Sequence, residues 1–422
     1  MMKPLAEPTR RYHPRMLEQP LLEASAVFPV VLVQGPRQVG KTTLLDTLRE
    51  LEDPEVERRY VTLADFAARD LAIENPTLFL QDHPPPVLID EIQAAPHLMA
   101  AIREWVDARG RPGEFWLVAS RRVEAIDRVL ETMTGRIAVV ELLGLSLREL
   151  AGHRLDVPPL LPVAEVLAPR SEEADDWSLD RVFEHLWRGS FPLLHSGSLA
   201  DRDRFYRSYV DSFLRRDIRR LDTVNDLSAF RRFLTACAAQ TGRVLDLADL
   251  ARRVDIPVAI AEHWLAALEA TFQVRRLPAY VNGTSPESAD APKLYFLDTG
   301  LAVHLAGWSS PEELAESAMA QRVFETFVFG EIWRSFCHRR KTPRMSYFRA
   351  ADGHEVQFLL EHDGRVYPLA VELETTPRTT WARVFTALDG LGHALGEGGV
   401  VCLASEQMPL DERTVALPVG LL

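Results

Sequence analysis

At 422 residues the chain is long enough for two or three domains, each with a substantial core. Its 47% hydrophobic and 26% charged residues are those of an ordinary globular protein, and a formal charge of −13 argues against a surface coated by nucleic acid while leaving room for a local basic face. Cys237, Cys337 and Cys402 lie far apart with no CxxC pair, which excludes a disulfide framework and a thiolate zinc site; no apolar stretch reaches membrane-spanning length, so the expectation is a cytoplasmic protein with no membrane partner.

Residues 1–27 read as a polar, arginine-containing lead-in, with Tyr12-His13-Pro14-Arg15-Met16-Leu17 starting a short helix. Phe28 to Gln34 is short, apolar, rich in β-branched residues and bounded by Gly-Pro, which is the pattern of a strand buried on both faces. It leads into Gly35-Pro36-Arg37-Gln38-Val39-Gly40-Lys41-Thr42, and Thr43 to Leu48 then read as a helix. A strand that turns through glycines into a helix N-terminus points several backbone N–H groups at one spot, where the helix dipole also favours an anion. This is a P-loop, and residues 35–43 are the candidate nucleotide cradle. Gly35 and Gly40 let the backbone approach the phosphates, Lys41 reaches the β- and γ-phosphates, and the Thr42 hydroxyl is a ligand for Mg²⁺.

Arg59 to Leu63 reads as a second strand and Ala64 to Ile73 as a helix. Pro86 to Ile89 is a third strand, ending in Asp90-Glu91-Ile92-Gln93. Beside a P-loop, that acidic pair assigns Asp90 to the Mg²⁺, through water, and Glu91 to orienting or deprotonating the water that attacks the γ-phosphate. The expected chemistry is therefore ATP hydrolysis as well as binding. His97 to Ala108 spaces its apolar residues as a helix, and Glu114 to Ser120 is a fourth strand. Ser120, at the strand's end, either contacts the γ-phosphate and attacking water or simply caps the next segment. Arg121 and Arg122 come next, and either approach phosphate or form a solvated pair. Met133-Thr134-Gly135-Arg136 precedes a fifth strand, Ile137 to Val140, and Arg136 is a candidate for stabilising charge at the γ-phosphate, in cis or from a neighbouring subunit of a homo-oligomer; a surface ion pair is the ordinary alternative. Alternating β and α units predict an α/β fold with a doubly wound parallel sheet.

Residues 153–176 carry Pro158, Pro159, Pro162, Pro169 and the acidic Glu172-Glu173-Ala174-Asp175-Asp176, which reads as a linker between a P-loop domain over 28–152 and a helical region over 177–310. Within that region, Tyr206 to Arg220 is an amphipathic helix with a basic face. Asp246 to Val254 and Ala259 to Ala270 flank the turn Asp255-Ile256-Pro257 as a helix-turn-helix, and Phe272 to Leu277 with Leu294 to Leu297 suit the hairpin of a winged helix. DNA is a disfavoured partner, because the second helix carries Glu262 and Glu269 and would repel phosphate; packing against protein is preferred. Residues 311–422 read as a small α/β domain, with a helix over 321–336 and strands over 345–349, 355–360 and 367–374.

Taken together these residues resemble a family of prokaryotic AAA-type ATPases that join a P-loop domain to a C-terminal domain first described as of unknown function. GPRQVGKTTLL and LIDEIQ carry the ATPase half of the resemblance. Leu214-Arg215-Arg216-Asp217-Ile218, Lys293 to Ala302 and Phe324-Glu325-Thr326-Phe327-Val328 carry the other half. The resemblance implies that the chain ends in a restriction-nuclease-like core, typically with an acid on a helix, Glu-Val-Asp on one strand and Glu-x-Lys on the next. Here those positions read Glu325, Glu355-Val356-Gln357 and Glu372-Leu373-Glu374, so a metal-binding Asp is replaced by Gln and a supporting Lys by Glu, and nuclease activity is not expected. The reading as a whole is a Mg²⁺-dependent ATPase whose hydrolysis drives conformational change or remodelling of a protein partner. Two alternatives are a DNA-associated ATPase using the winged helix and a nucleotide-occupancy switch with little turnover.

Overall fold

The computed structural model describes residues 12–52, 56–122, 124–197, 201–219, 224, 226–280, 290–350, 353–389, 392 and 394–422. The first sheet contains β1 (Val30–Gln34), β2 (Arg59–Thr62), β3 (Val87–Asp90), β4 (Phe115–Ala119) and β5 (Ile137–Glu141) in the order β2-β3-β4-β1-β5. All of its pairings are parallel. β1 and β4 are buried at every position, which is why they read as unbroken apolar runs. Successive β1 side chains serve opposite faces. Val31 and Val33 pack with Leu44, Leu45 and Leu48 of helix Lys41–Leu51, whereas Val30 and Leu32 pack with Met99 and Ile102 of helix Leu98–Ala108. The expected doubly wound parallel sheet is thus formed, and register sets Gln34 of β1 beside Ala119 and Glu141, so the loops after these strands meet at one edge.

The helical region contains Leu179–Arg188, Arg202–Phe213, a π-helical turn at Leu214–Ile218, Leu227–Ala238, Leu247–Val254 and Val258–Ala270. A three-stranded antiparallel sheet, β6 (Arg243–Val244), β8 (Lys293–Phe296) and β7 (Val274–Leu277), has the order β6-β8-β7, so the two strands expected to form a hairpin do pair. Arg220, at the end of the expected basic helix, lies outside the described residues. Helix Ala320–Cys337 then packs on a six-stranded mixed sheet of β9 (Met345–Arg349), β10 (Glu355–His362), β11 (Arg365–Val371), β12 (Gly398–Cys402), β13 (Met408–Pro409) and β14 (Thr414–Pro418), ordered β13-β14-β12-β11-β10-β9.

The stretch 153–176 departs from the expectation of an exposed linker. Val157, Leu160, Leu161, Val166 and Leu167 are buried. All but Val157 pack in the core of the C-terminal domain, Val166 and Leu167 from helix Ala164–Ser171. The Arg170 guanidinium is fully buried and donates to the carbonyls of Leu421 (3.0 Å), Leu422 (2.7 Å) and Pro158 (3.0 Å). Prolines and acids dominate the composition there, but the leucines and valines between them turn inward and form a strap.

A second buried network joins the P-loop to the helix Ala320–Cys337 and His338 that follows it. The Arg15 guanidinium donates to the carbonyls of Val39 (2.8 Å) and Leu143 (2.7 Å) and pairs with Glu149 (3.1 Å). Glu149 accepts from the amides of Met16 and Ser146, completing the capping box of helix Leu147–Ala151, and sits 3.4 Å from the His338 ring. Burial alone would push its carboxyl up, but Arg15 and His338 outweigh that and hold it well below the usual carboxylate range. A carboxylate depressed in the folded state contributes stability above its unfolded value, and the contribution is lost as pH falls through the carboxylate range. Glu149→Gln should therefore destabilise the protein by about 3–5 kcal/mol at neutral pH, the cost of stranding a buried partner charge. Urea unfolding at pH 7 and pH 4 checks this: the gap between wild type and variant should narrow at pH 4.

Candidate nucleotide site

The loop between β1 and helix Lys41–Leu51 opens on a cavity of about 470 Å³ at the carboxyl edge of the sheet, and residues 37–43, Asp90, Glu91 and Ser120 line it. The loop curls because Gly35 has φ +154° and lies so close to Leu142 that a Cβ would meet its carbonyl oxygen at 1.9 Å; no other residue fits there. Gly40 follows in the left-handed region with φ 92° and opens the helix. The Lys41 ammonium is buried and donates to the carbonyls of Gly35 (2.9 Å) and Pro36 (2.7 Å). Burial lowers it to about 8, against the pull of Glu91 and Asp90.

The acidic pair sits across the cavity. Thr42 donates its hydroxyl to Asp90 Oδ2 at 2.9 Å, and Asp90 Oδ1 accepts from the Glu91 amide at 2.8 Å. Burial, then the charge of Glu91, raises the Asp90 carboxyl above its ordinary value. A hydroxyl and a carboxylate oxygen held together beside the phosphate cradle suit a hard divalent cation such as Mg²⁺, which keeps water and substrate phosphate among its ligands. Among the described residues there is no cluster of three or more His, Cys, Asp or Glu able to hold a metal by protein ligands alone. Glu91 has φ 59° and ψ 40°, a left-handed conformation rare for a side chain with a Cβ and characteristic of functional loops. Its carboxylate accepts from Ser120 Oγ (3.3 Å) and from the Gln93 amide, and it is ion-paired to Arg37 at 2.8 Å.

Of the expected site residues, Gln38, Val39, Gly40, Lys41, Thr42, Thr43, Arg37, Asp90, Glu91 and Ser120 meet at this one cavity, and Gly35 and Pro36 supply the loop carbonyls beneath it. Arg136 does not join them. Its carbonyl accepts from the Val30 amide at 3.2 Å, which puts it at the start of β1, while the P-loop follows the end of β1. At about 3.3 Å per residue, the length of the strand separates the two by roughly 15 Å. The Arg136 side chain pairs instead with Asp107 at 3.0 Å and is 45% exposed, the ordinary surface pair, so a cis role at the γ-phosphate is excluded. Arg122 likewise turns away, pairing with Glu141 at 3.1 Å and lying over the Phe272 ring.

Sequence reasoning missed part of the lining. Tyr12, His13 and Arg15 of the lead-in, Pro192 and Leu193, and Arg216 of the π-helical turn all face the cavity. The signal available was the aromatic pair Tyr12-His13 in an otherwise polar segment, but only folding brings it beside residues 39–43.

Lys293 of β8 reaches into the C-terminal domain between Glu325 (2.9 Å) and Glu355, and the Tyr295 hydroxyl also donates to Glu325. The Lys293 side chain is 2% exposed. Glu374 pairs with Arg378 at 2.7 Å, and burial with the charge of Glu374 raises the Glu372 carboxyl. On the helix-turn-helix, Glu262 and Glu269 both pair with Arg276 of β7, at 2.8 and 2.6 Å.

Three family models match parts of the chain. Residues 27–151 match a model described as an AAA domain, residues 179–312 one described as Domain of unknown function (DUF8612), and residues 320–422 one described as Domain of unknown function (DUF4143). Uncharacterized proteins of Mycobacterium bovis and Mycobacterium tuberculosis are each 26% identical over 392 residues, covering 92% of this chain and 80% of theirs. Among solved structures, the chain is similar to a Walker-type ATPase of Pyrococcus abyssi, with a TM-score of 0.41 and 16% identity over 68% of this chain and 94% of the other. It is also similar to AMPPCP-bound DnaA of Aquifex aeolicus, with a TM-score of 0.29 and 13% identity over 60% and 85% of the two chains. Residues 27–151 are thus an AAA domain, which this chain joins to two further domains of unknown function.

Proposed function

We propose that the protein binds ATP with Mg²⁺ at the Gly35–Thr43 loop and hydrolyses it, coupling turnover to movement of the helical region and to remodelling of a protein partner. The observation that carries this reading is the meeting of Glu91, Ser120, Lys41 and the Thr42–Asp90 pair around one cavity. Lys41 and the loop amides bind the β- and γ-phosphates. Thr42 and Asp90 would hold Mg²⁺, which supplies charge neutralisation on the phosphate oxygens. Glu91 orients the attacking water and takes its proton, with Ser120 fixing the carboxylate's direction. The buried residues of the helical region that share a core with the P-loop helix, among them Phe191, Phe205 and Tyr209, give a mechanical path between the two.

The DNA-associated reading is weaker. Arg276, a hairpin cation that could meet phosphate, is taken by Glu262 and Glu269. A nuclease reading is weaker still, since Lys293 fills the space between Glu325 and Glu355 where a catalytic cation would have to sit. Purified protein should hydrolyse ATP in Mg²⁺ with no stimulation by duplex DNA at low salt, and should leave plasmid and linear DNA intact in Mg²⁺ or Mn²⁺. DNA-stimulated turnover would move the function to the second reading, and cleavage lost in Glu372→Ala would restore the nuclease.

A further inference from the structure

The Leu214–Ile218 turn, conspicuous in the sequence, has no part in the chemistry above. Helix Arg202–Phe213 continues into it as a π-helix, a rare wider turn that recurs at functional sites. Here Asp217 is turned inward, 3% exposed, while Arg215 and Arg216 stay exposed, Arg216 at the cavity. Asp217 then grips Arg37 with both oxygens, from Nε at 2.7 Å and from Nη2 at 2.9 Å. The same guanidinium reaches Glu91 from its other side, Nη1 to Oε1 at 2.8 Å and Nη2 to Oε2 at 3.4 Å. One P-loop arginine therefore links Glu91 to a carboxylate that lies 180 residues beyond the arginine itself.

This geometry acts on both ends of the link. Both Glu91 oxygens already accept from donors, Oε1 from Arg37 and Ser120 and Oε2 from Arg37 and Gln93. With both oxygens occupied by donors, neither is open to an attacking water, so this arrangement holds Glu91 out of use. Arg37 itself lines the cavity within the phosphate cradle, where the γ-phosphate is a third anion competing for a guanidinium that two carboxylates now share.

Resting on the ATPase reading, we propose that Arg37 and Asp217 form a latch on that site. Asp217 is a positioning residue that fixes Arg37 against Glu91; the γ-phosphate of ATP draws Arg37 away, which frees Glu91 for the attacking water and releases the helical region from its tie to the P-loop. ADP, lacking that phosphate, leaves the latch closed.

The test uses the full chain and two readouts. Hydrogen exchange over residues 202–218 should rise in wild type with a non-hydrolysable ATP analogue and stay unchanged with ADP. Asp217→Asn, which keeps the shape and removes the charge, should exchange fast there without nucleotide, and the analogue should add nothing. The same variant should turn over ATP several-fold faster than wild type with KM little changed, a gain in kcat that loss of a merely structural contact would not produce. Arg37→Lys, which keeps the charge but loses the two-sided fork, should show the same raised exchange. An analogue that leaves wild-type exchange unchanged, or Asp217→Asn protein that exchanges as wild type does or fails to gain kcat, overturns the latch while the ATPase reading stands on wild-type turnover. A wild type with no turnover whose exchange still responds to the analogue and not to ADP overturns hydrolysis and supports the latch.

Discussion

Glu91→Gln protein is expected to bind ATP as wild type does and to hydrolyse it about 10²-fold more slowly or worse, the scale of losing a positioned general base. The substitution keeps the size of the side chain and its acceptor for Ser120, which lies 3.3 Å from Oε1, so the cavity should keep its shape. What it removes is the capacity to take a proton and the charge that pairs with Arg37. Because none of the phosphate-cradle groups changes, affinity and turnover should separate: ATP binding is preserved while kcat falls. Turnover equal to wild type would make Glu91 a structural residue held by Arg37, Gln93 and Ser120.

The second large effect belongs to Lys41. Its ammonium is buried at the base of the cradle and donates to two loop carbonyls, a position from which it can turn to phosphate oxygens with little loss of solvation. Charge-assisted hydrogen bonds are worth about 1.5–3 kcal/mol each, so losing two of them in Lys41→Ala should weaken ATP binding by roughly 10²–10⁴-fold and abolish turnover at ordinary ATP concentrations. Binding measured by fluorescence of a labelled nucleotide checks this, and unchanged affinity would remove the loop from the nucleotide site. Lowered by burial to about 8, Lys41 stays mostly charged at neutral pH, as tight phosphate binding requires.

The two halves of the site were legible for different reasons. β1 and β3 are buried runs that end in residues a nucleotide needs, so local pattern was enough to find Gly35 to Thr43 and the Asp90-Glu91 pair. Arg136 shows what a local pattern leaves out: in a parallel sheet the residue before a strand lies at the edge opposite the residue after one, and Arg136 precedes β5 whereas Ser120 follows β4. Arg37 shows the limit of local reading, since its role depends on Asp217 across the fold. The strap at 157–170 was hidden by its prolines, β12 by the two glycines that open it and β13 by its length of 2 residues. Lys293 was read only as part of a resemblance, although a lone lysine in an apolar strand calls for a buried acid, and Glu325 and Glu355 supply two.

The central claim is that this chain hydrolyses ATP and that Glu91 activates the water. The most direct measurement is the identity of the nucleotide that remains on the protein after incubation with ATP and Mg²⁺, read by chromatography of the denatured complex for wild type and Glu91→Gln side by side. ADP on wild type and intact ATP on the variant is the result predicted. The same nucleotide on both, whether ATP or ADP, contradicts it.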